Sequence, residues 1–125
     1  MAKRRRQWFV VALGVLIVMG AFLVWRMRSP GRAFDPVAWR DDSQVQEGVR
    51  LSMADWLIAR GALLGKTRAE VVELLGEPPP TNYFSDWDMV YWLGPERGFL
   101  SIDSEWLVLR LAQDGRVMDN QIVRD

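Results

Sequence analysis

WLVLRLAQDGRVMDNQIV, residues 106–123, is the stretch that decides the fold. Residues 106–112 are apolar but for Arg110, with the aromatic and branched side chains of a strand. Asp114-Gly115 is the strongest short hairpin signal in the chain and predicts a two-residue type I′ turn. Residues 116–123 then return as the partner strand. That turn fixes the pairing. Leu107 faces Ile122, Leu109 faces Asn120, Leu111 faces Met118 and Gln113 faces Arg116 on one side of the ribbon. Trp106 faces Val123, Val108 faces Gln121, Arg110 faces Asp119 and Ala112 faces Val117 on the other. The first set is the more apolar and is expected to face a core. Slipping the pairing by one residue would drive Arg110 into that core.

Working outward, MVYWL at residues 89–93 predicts a third strand. GPERG at 94–98 reads as a turn, and residues 99–104 as irregular or a continuation of it. Upstream, Thr67 and Glu70 form a Ser/Thr-x-x-Glu capping box that opens a helix over residues 68–75. Val71, Leu74 and Leu75 make its buried stripe. Gly76 stands where a left-handed residue ends a helix, and Pro78-Pro79-Pro80 prevents continuation. Val49, Met53, Trp56, Leu57 and Arg60 recur at helical spacing and predict an amphipathic helix over residues 44–60, stopped at Gly61. Before it, Asp35-Pro36 reads as an N-cap with proline in the first turn of a short helix. Asp41-Asp42-Ser43 interrupts that helix as a solvated loop or cap.

The 125 residues carry 16 Lys/Arg and 16 Asp/Glu, a formal net charge of zero. The zero hides a split. Residues 1–34 hold Lys3, Arg4, Arg5, Arg6, Arg26, Arg28 and Arg32 and no acidic group. Residues 35–125 hold nine basic and all 16 acidic groups, a balance of −7. Between the basic flanks, WFVVALGVLIVMGAFLVW at 8–25 has no charge and a Trp at each end. A helix of that length spans about 27 Å, close to a bilayer's hydrocarbon core. The chain therefore divides into a basic cytoplasmic tail (1–6), a transmembrane anchor (7–25), a linker (26–34) broken at Ser29-Pro30-Gly31-Arg32, and an acidic domain (35–125). The basic N-terminal flank and the acidic domain favour a signal anchor, N-terminus inward. In a bacterium that puts the protein in the inner membrane as a single-pass protein with its C-terminal domain in the periplasm. A cleaved signal peptide ending near Val18-Met19-Gly20 is the alternative.

There is no Cys and no His, which removes disulfides, thiolate nucleophiles, Cys/His zinc sites and histidine general bases. Gly65-Lys66-Thr67 is not a nucleotide loop, since Arg60 occupies the position of the required first glycine. Asp86 and Asp88, and Asp103 and Glu105, are spaced like paired carboxylates, but they read as solvated loop acids. No catalysis, no cofactor, no metal and no small-molecule substrate is expected. The acidic domain also disfavours nucleic acid. The expected partners are the bilayer, through residues 7–25, and another envelope protein.

Gly65, Thr67, Val71, Leu75, Gly76 and Pro78 match the pattern Gly-x-Thr/Ser-x3-Val-x3-Leu-Gly-x-Pro. With the Tyr- and Trp-rich strands that follow, residues 63–125 resemble the SmpA/OmlA lipoprotein family, known as BamE. The family is lipidated at a Cys, which this chain lacks. The resemblance implies a fold shared with proteinaceous β-lactamase inhibitors, whose members act by binding other proteins. The fold expected is thus α+β: a single N-terminal transmembrane helix, then two helices packed on one face of a three-stranded antiparallel sheet. The other face would carry Trp106, Val108, Val117 and Val123, with Trp92 nearby, as a partner-binding patch. The linker, the segment around Trp39 or the strand neighbours would otherwise cover it. The function expected is a membrane-anchored extracytoplasmic protein–protein interaction module concerned with cell-envelope assembly or integrity. An inhibitor or ligand-sensing domain binding through the open sheet face, and a structural subunit of a membrane complex, are the other two readings.

Overall fold

The computed structural model describes residues 2–27, 31–98, 100 and 102–125, without the side chains of residues 2 and 24–27. The expected helix break at Ser29 and Pro30 and the ring of Trp25 lie outside the described residues, as do Phe99 and Ser101 of the loop before the first strand of the 106–123 hairpin.

Helix α1 (Ala2–Met27) overruns the predicted span at both ends, taking in the basic tail. Within it, Lys3–Leu23 is long and apolar enough to cross a membrane, and none of it is buried in the protein. Large apolar side chains from Trp8 to Leu23 are all more than half exposed. From Trp8 to Leu23 the helix is apolar on every face, the pattern shared by a membrane span and a signal sequence.

The acidic domain opens as read. Asp35 accepts the Val37 N–H at 3.0 Å and Pro36 starts α2 (Pro36–Arg40). The single helix expected over 44–60 is instead two pieces. Asp41 accepts from the Ser43 amide and hydroxyl and from the Gln44 side chain, capping a 3-10 helix over Asp42–Glu47. Gly48 then turns at φ +78° and α3 runs from Val49 to Ala59. An Asp that satisfies the first N–H groups of a tight turn competes with the α-helical alternative. The split changes the buried side of α3 to Leu51, Met53, Ala54 and Leu57, leaving Val49 and Trp56 half-buried and Arg60 exposed. Gly61 ends α3 as expected. Its N–H reaches the Ile58 carbonyl and the Ala62 N–H reaches that of Leu57, the two bonds of a Schellman motif.

Helix α4 (Arg68–Leu75) has the predicted limits and both halves of the Thr67–Glu70 capping box. Its end differs from expectation. Gly76 has φ +86° but ψ 171°, so it departs extended rather than left-handed. The final carbonyls are met from outside the helix: the Trp39 indole N–H donates to Leu75 O at 3.0 Å and the Tyr91 hydroxyl to Gly76 O at 2.8 Å.

The sheet has the order β1 (Met89–Pro95), β2 (Ser104–Leu111) and β3 (Val117–Arg124), all antiparallel. Gly94 and Pro95, read as turn, belong to β1 beyond a bulge after Trp92. Between β2 and β3 the predicted pairs hold from Trp106–Val123 to Arg110–Asp119. Then the register shifts, and Leu111 pairs with Val117. The turn is a three-residue one. Ala112 N–H reaches Arg116 O, Gly115 N–H reaches Ala112 O, and Gly115 alone takes positive φ, +79°. A type I′ turn would need positive φ at Asp114 too, and Phe84 is the only described non-glycine residue with one. The extra turn residue is absorbed by a bulge at Met118. Val117 therefore joins the core and Met118 is 58 % exposed, the reverse of the expected faces. The cause lies outside the hairpin. Val117 bonds backbone-to-backbone with Gly65 and Lys66, at 2.9 and 2.8 Å, so the approach to α4 pairs with the start of β3.

One core joins these elements: Trp39 of α2, Met53 and Leu57 of α3, Leu63, Val71 and Leu75 around α4, and Met89, Tyr91, Leu93, Leu107, Leu109 and Val117 from the sheet.

Two substitutions check this account by denaturant unfolding of the full chain in detergent. Thr67→Ala removes the cap and is expected to cost about 1 kcal/mol. Gly115→Ala places a Cβ at positive φ and is expected to cost about 1–2 kcal/mol.

Candidate interaction surface

The second face of the sheet is formed by alternate residues: Val90 and Trp92 of β1, Trp106 and Val108 of β2, and Asp119, Gln121 and Val123 of β3. Val108 is fully buried and Val90 is 8 % exposed, although neither belongs to the core beneath the helices. What covers this face is the segment entering β1. The rings of Tyr83 and Phe84 lie 5.2 and 6.1 Å from Trp106, and the Arg110 guanidinium stacks over Trp87 at 4.4 Å. The strap turns at Phe84, whose carbonyl accepts the Trp87 N–H, with φ +53° at Phe84 itself. A bulky residue in that conformation costs free energy that the ring contacts must offset. Trp39, one of the expected covers, lies on the opposite side, in the helix-facing core.

Of the residues expected to bind a partner, Val117 is on the wrong face and 3 % exposed, because of the bulge at Met118. Val108 is on the expected face but has no surface to offer. Trp92, Trp106 and Val123 are half-buried and stand in one row, since Trp92 pairs with Trp106 and Trp106 with Val123. Asp125 orients the central ring. One carboxylate oxygen accepts the Trp106 indole N–H at 2.9 Å and the other accepts the Ser104 N–H at 2.9 Å. These two bonds, the backbone one foremost, hold the Asp125 carboxyl below the usual range. Tyr83, 55 % exposed, extends the row outward. The reading of the sequence missed Tyr83, Phe84 and Trp87. The available signal was three aromatics in the six residues of NYFSDW, 82–87, just past a proline run.

No family model matches the chain, and no curated protein or solved structure matches it either.

The other residues singled out by sequence serve the fold. The Gly65 amide is engaged by Val117 and its carbonyl accepts from Arg116 at 2.9 Å, so this loop offers that N–H to no phosphate. Asp88 accepts the Leu111 N–H at 2.7 Å and ties the start of β1 to the end of β2. Glu105 is a correction: expected in solvent, it is 3 % exposed. Arg97 binds it at 3.1 Å and also binds Asp55 at 2.7 Å, and Arg124 approaches it at 3.5 Å. Burial alone would raise the Glu105 carboxyl. The Arg97 hydrogen bonds, together with the charges of Arg97 and Arg124, outweigh it and hold the group below its usual range. Among the described residues no group of three Asp or Glu is arranged to hold a metal ion.

A carboxyl held low in the folded state favours folding above its unfolded pKa, and loses that contribution as pH falls through the folded value. The full chain is thus expected to lose stability as pH drops below about 4.3, the unperturbed Glu value. Glu105→Gln should make that loss shallower. Arg97→Ala, which strips the main partner from a buried carboxylate, is expected to cost about 1.5–3 kcal/mol at neutral pH. Unchanged acid unfolding profiles in both variants would show that this cluster does not couple to folding.

Proposed function

We propose that this protein is a membrane-anchored module that binds another protein of the bacterial envelope, in the assembly or maintenance of that envelope. The single observation that carries the reading is the row Trp92–Trp106–Val123, continued by the exposed Tyr83 ring, on a sheet whose opposite face is already used for the core. Half-buried aromatic rings held by hydrogen bonds and ring contacts are what protein interfaces use as anchors. The unburied apolar helix α1 supports membrane anchoring. The split of charge supports an N-terminus in the cytoplasm, an anchor in the inner membrane and a domain in the periplasm. The resemblance of residues 63–125 to the BamE family supports a two-layer arrangement, helices on one face of the sheet and the binding surface on the other. It also supports the envelope as the setting.

Two experiments test the reading. Protease added to spheroplasts should digest residues 35–125 and leave the anchor; resistance until the membrane is opened would reverse the topology. A photocrosslinking residue at Tyr83 should give discrete adducts in cells, whereas one at Glu73, exposed on α4, should give none. Adducts at neither position, in several growth conditions, would remove the interaction surface. If Trp106→Ala unfolds the domain by circular dichroism, that ring belongs to the fold and the binding row reduces to its neighbours.

A further inference from the structure

Gly31 and Arg32, between the anchor and the domain, are fixed against α3. Gly31 has φ +92° and is seated on α3 so closely that a Cβ there would strike the Ser52 carbonyl and lie 2.7 Å from the Trp56 amide nitrogen. The next residue extends the seat. The Arg32 N–H lies 3.1 Å from Ser52 O and 2.9 Å from its hydroxyl. The anchor helix ends at Met27. Four Cα steps separate Met27 from Gly31, at most about 15 Å even when fully extended. The polar layer of one leaflet is itself roughly 5–8 Å thick. The part of α3 that receives Gly31 is therefore confined within about a helix diameter of the lipid headgroups, and the domain cannot tumble freely above them.

That part of α3 has the chemistry of an interfacial surface. Ser52, Trp56 and Ala59 succeed one another at helical spacing on one side. Trp56 is half-buried, and the exposed Arg60 guanidinium stacks over its ring at 4.6 Å. Tryptophan with arginine at the headgroup level is a common anchoring pair, the ring in the boundary and the cation toward phosphate. Of the acids beside this face, Asp55 is paired with Arg97 at 2.7 Å and Glu96 with Arg124 at 3.6 Å, and Glu47 is exposed just before α3.

We propose that the Ser52–Trp56–Ala59 side of α3 rests on the headgroup layer of the bilayer that holds α1. The Gly31 seat is then the joint that sets the orientation of the domain on the bilayer. This rests on the reading of α1 as a membrane span.

The chain has no Cys, so one introduced thiol can carry an environment-sensitive fluorophore. The full chain is reconstituted in phosphatidylcholine vesicles bearing headgroup spin labels, with the fluorophore at Ala59→Cys or at Gln121→Cys on the far face of the sheet. The expected result is several-fold stronger quenching at 59 than at 121. Adding Gly31→Ala should bring position 59 down to the level of 121 with an unchanged circular dichroism spectrum. Equal quenching at the two positions overturns the proposal, as does an Ala59→Cys disulfide between two copies in place of quenching, which would assign the surface to a second copy. A third label at Gly14→Cys, read with acyl-chain quenchers, separates the failures. If it is quenched while 59 is not, the orientation alone is wrong; if it is not, the anchor reading falls with it.

Discussion

The domain is organised around Trp39. Its indole is 2 % exposed and packs edge-on to Tyr91 at 6.3 Å and against Phe34 at 5.9 Å. Its N–H closes the end of α4 through Leu75 O. Its own carbonyl accepts two bonds from Arg50 of α3, at 2.9 and 2.7 Å, and the same guanidinium lies over the indole at 5.3 Å and donates to Trp92 O of β1. One residue of a five-residue helix thus touches both longer helices of the domain and the sheet. The arrangement answers a specific difficulty. An eight-residue helix does not stand alone, and its last carbonyls have no partners within it. Gly76, leaving extended, forgoes the Schellman bonds that close α3. Trp39 and Tyr91 supply the missing donors, each bringing a large apolar body into the core with its polar tip satisfied. Without the Trp39 side chain, the core contact, the cap of α4 and the ring under Arg50 would be lost together, while the backbone carbonyl that Arg50 also uses would remain.

What the sequence showed and what it concealed divide by the range of the interaction. The capping box at Thr67, the Asp35-Pro36 entry, the Gly61 stop and the limits of α4 are decided by residues within four positions of one another, and all were legible. So was the register from Trp106 to Arg110, because a slip by one residue would part Arg110 from Asp119 and drive it into the core. The turn was not. Asp-Gly serves two hairpin geometries, and the choice between them was made by Gly65 and Lys66, about fifty residues earlier in the chain. The split before α3 was local in origin, but it lay in the side chain of Asp41 and in the positive φ of Gly48, whereas the apolar periodicity begins only at Val49 and is silent about what precedes it.

The same division explains the surface. The alternation of β2 and β3 assigned Trp106 and Val123 to the second face correctly, and the one-residue bulge at Met118 moved Val117 off it. The strap over Val108 has no periodic signature. It is held by ring contacts to Trp106 and by Arg110 on Trp87, pairs that become visible only once the sheet exists. Glu105 belongs with these. Its burial depends on Arg97 and Arg124, reached from a loop and from the neighbouring strand, and a carboxylate among Ser104 and Trp106 carries no mark of either.

A three-stranded sheet leaves two edges that invite unwanted pairing. Here the edges are treated unequally. On β1, Arg50 occupies the Trp92 carbonyl, and Gly94 lies so close to Val45 of the 3-10 helix that a Cβ would approach its carbonyl oxygen at 2.8 Å. The bulge at Gly94 is the geometric cost of fitting that helix along the edge. On β3 the pairing with Gly65 and Lys66 protects the first residue. Beyond it the strand relies on Asp119 and Arg124 and on the bulge at Met118, the devices of a strand that stays solvated without a neighbour. The bulge therefore has two effects from one inserted residue: it lets Val117 reach the core while meeting the approach to α4, and it bends the remaining strand away from the flat geometry that edge-to-edge association needs.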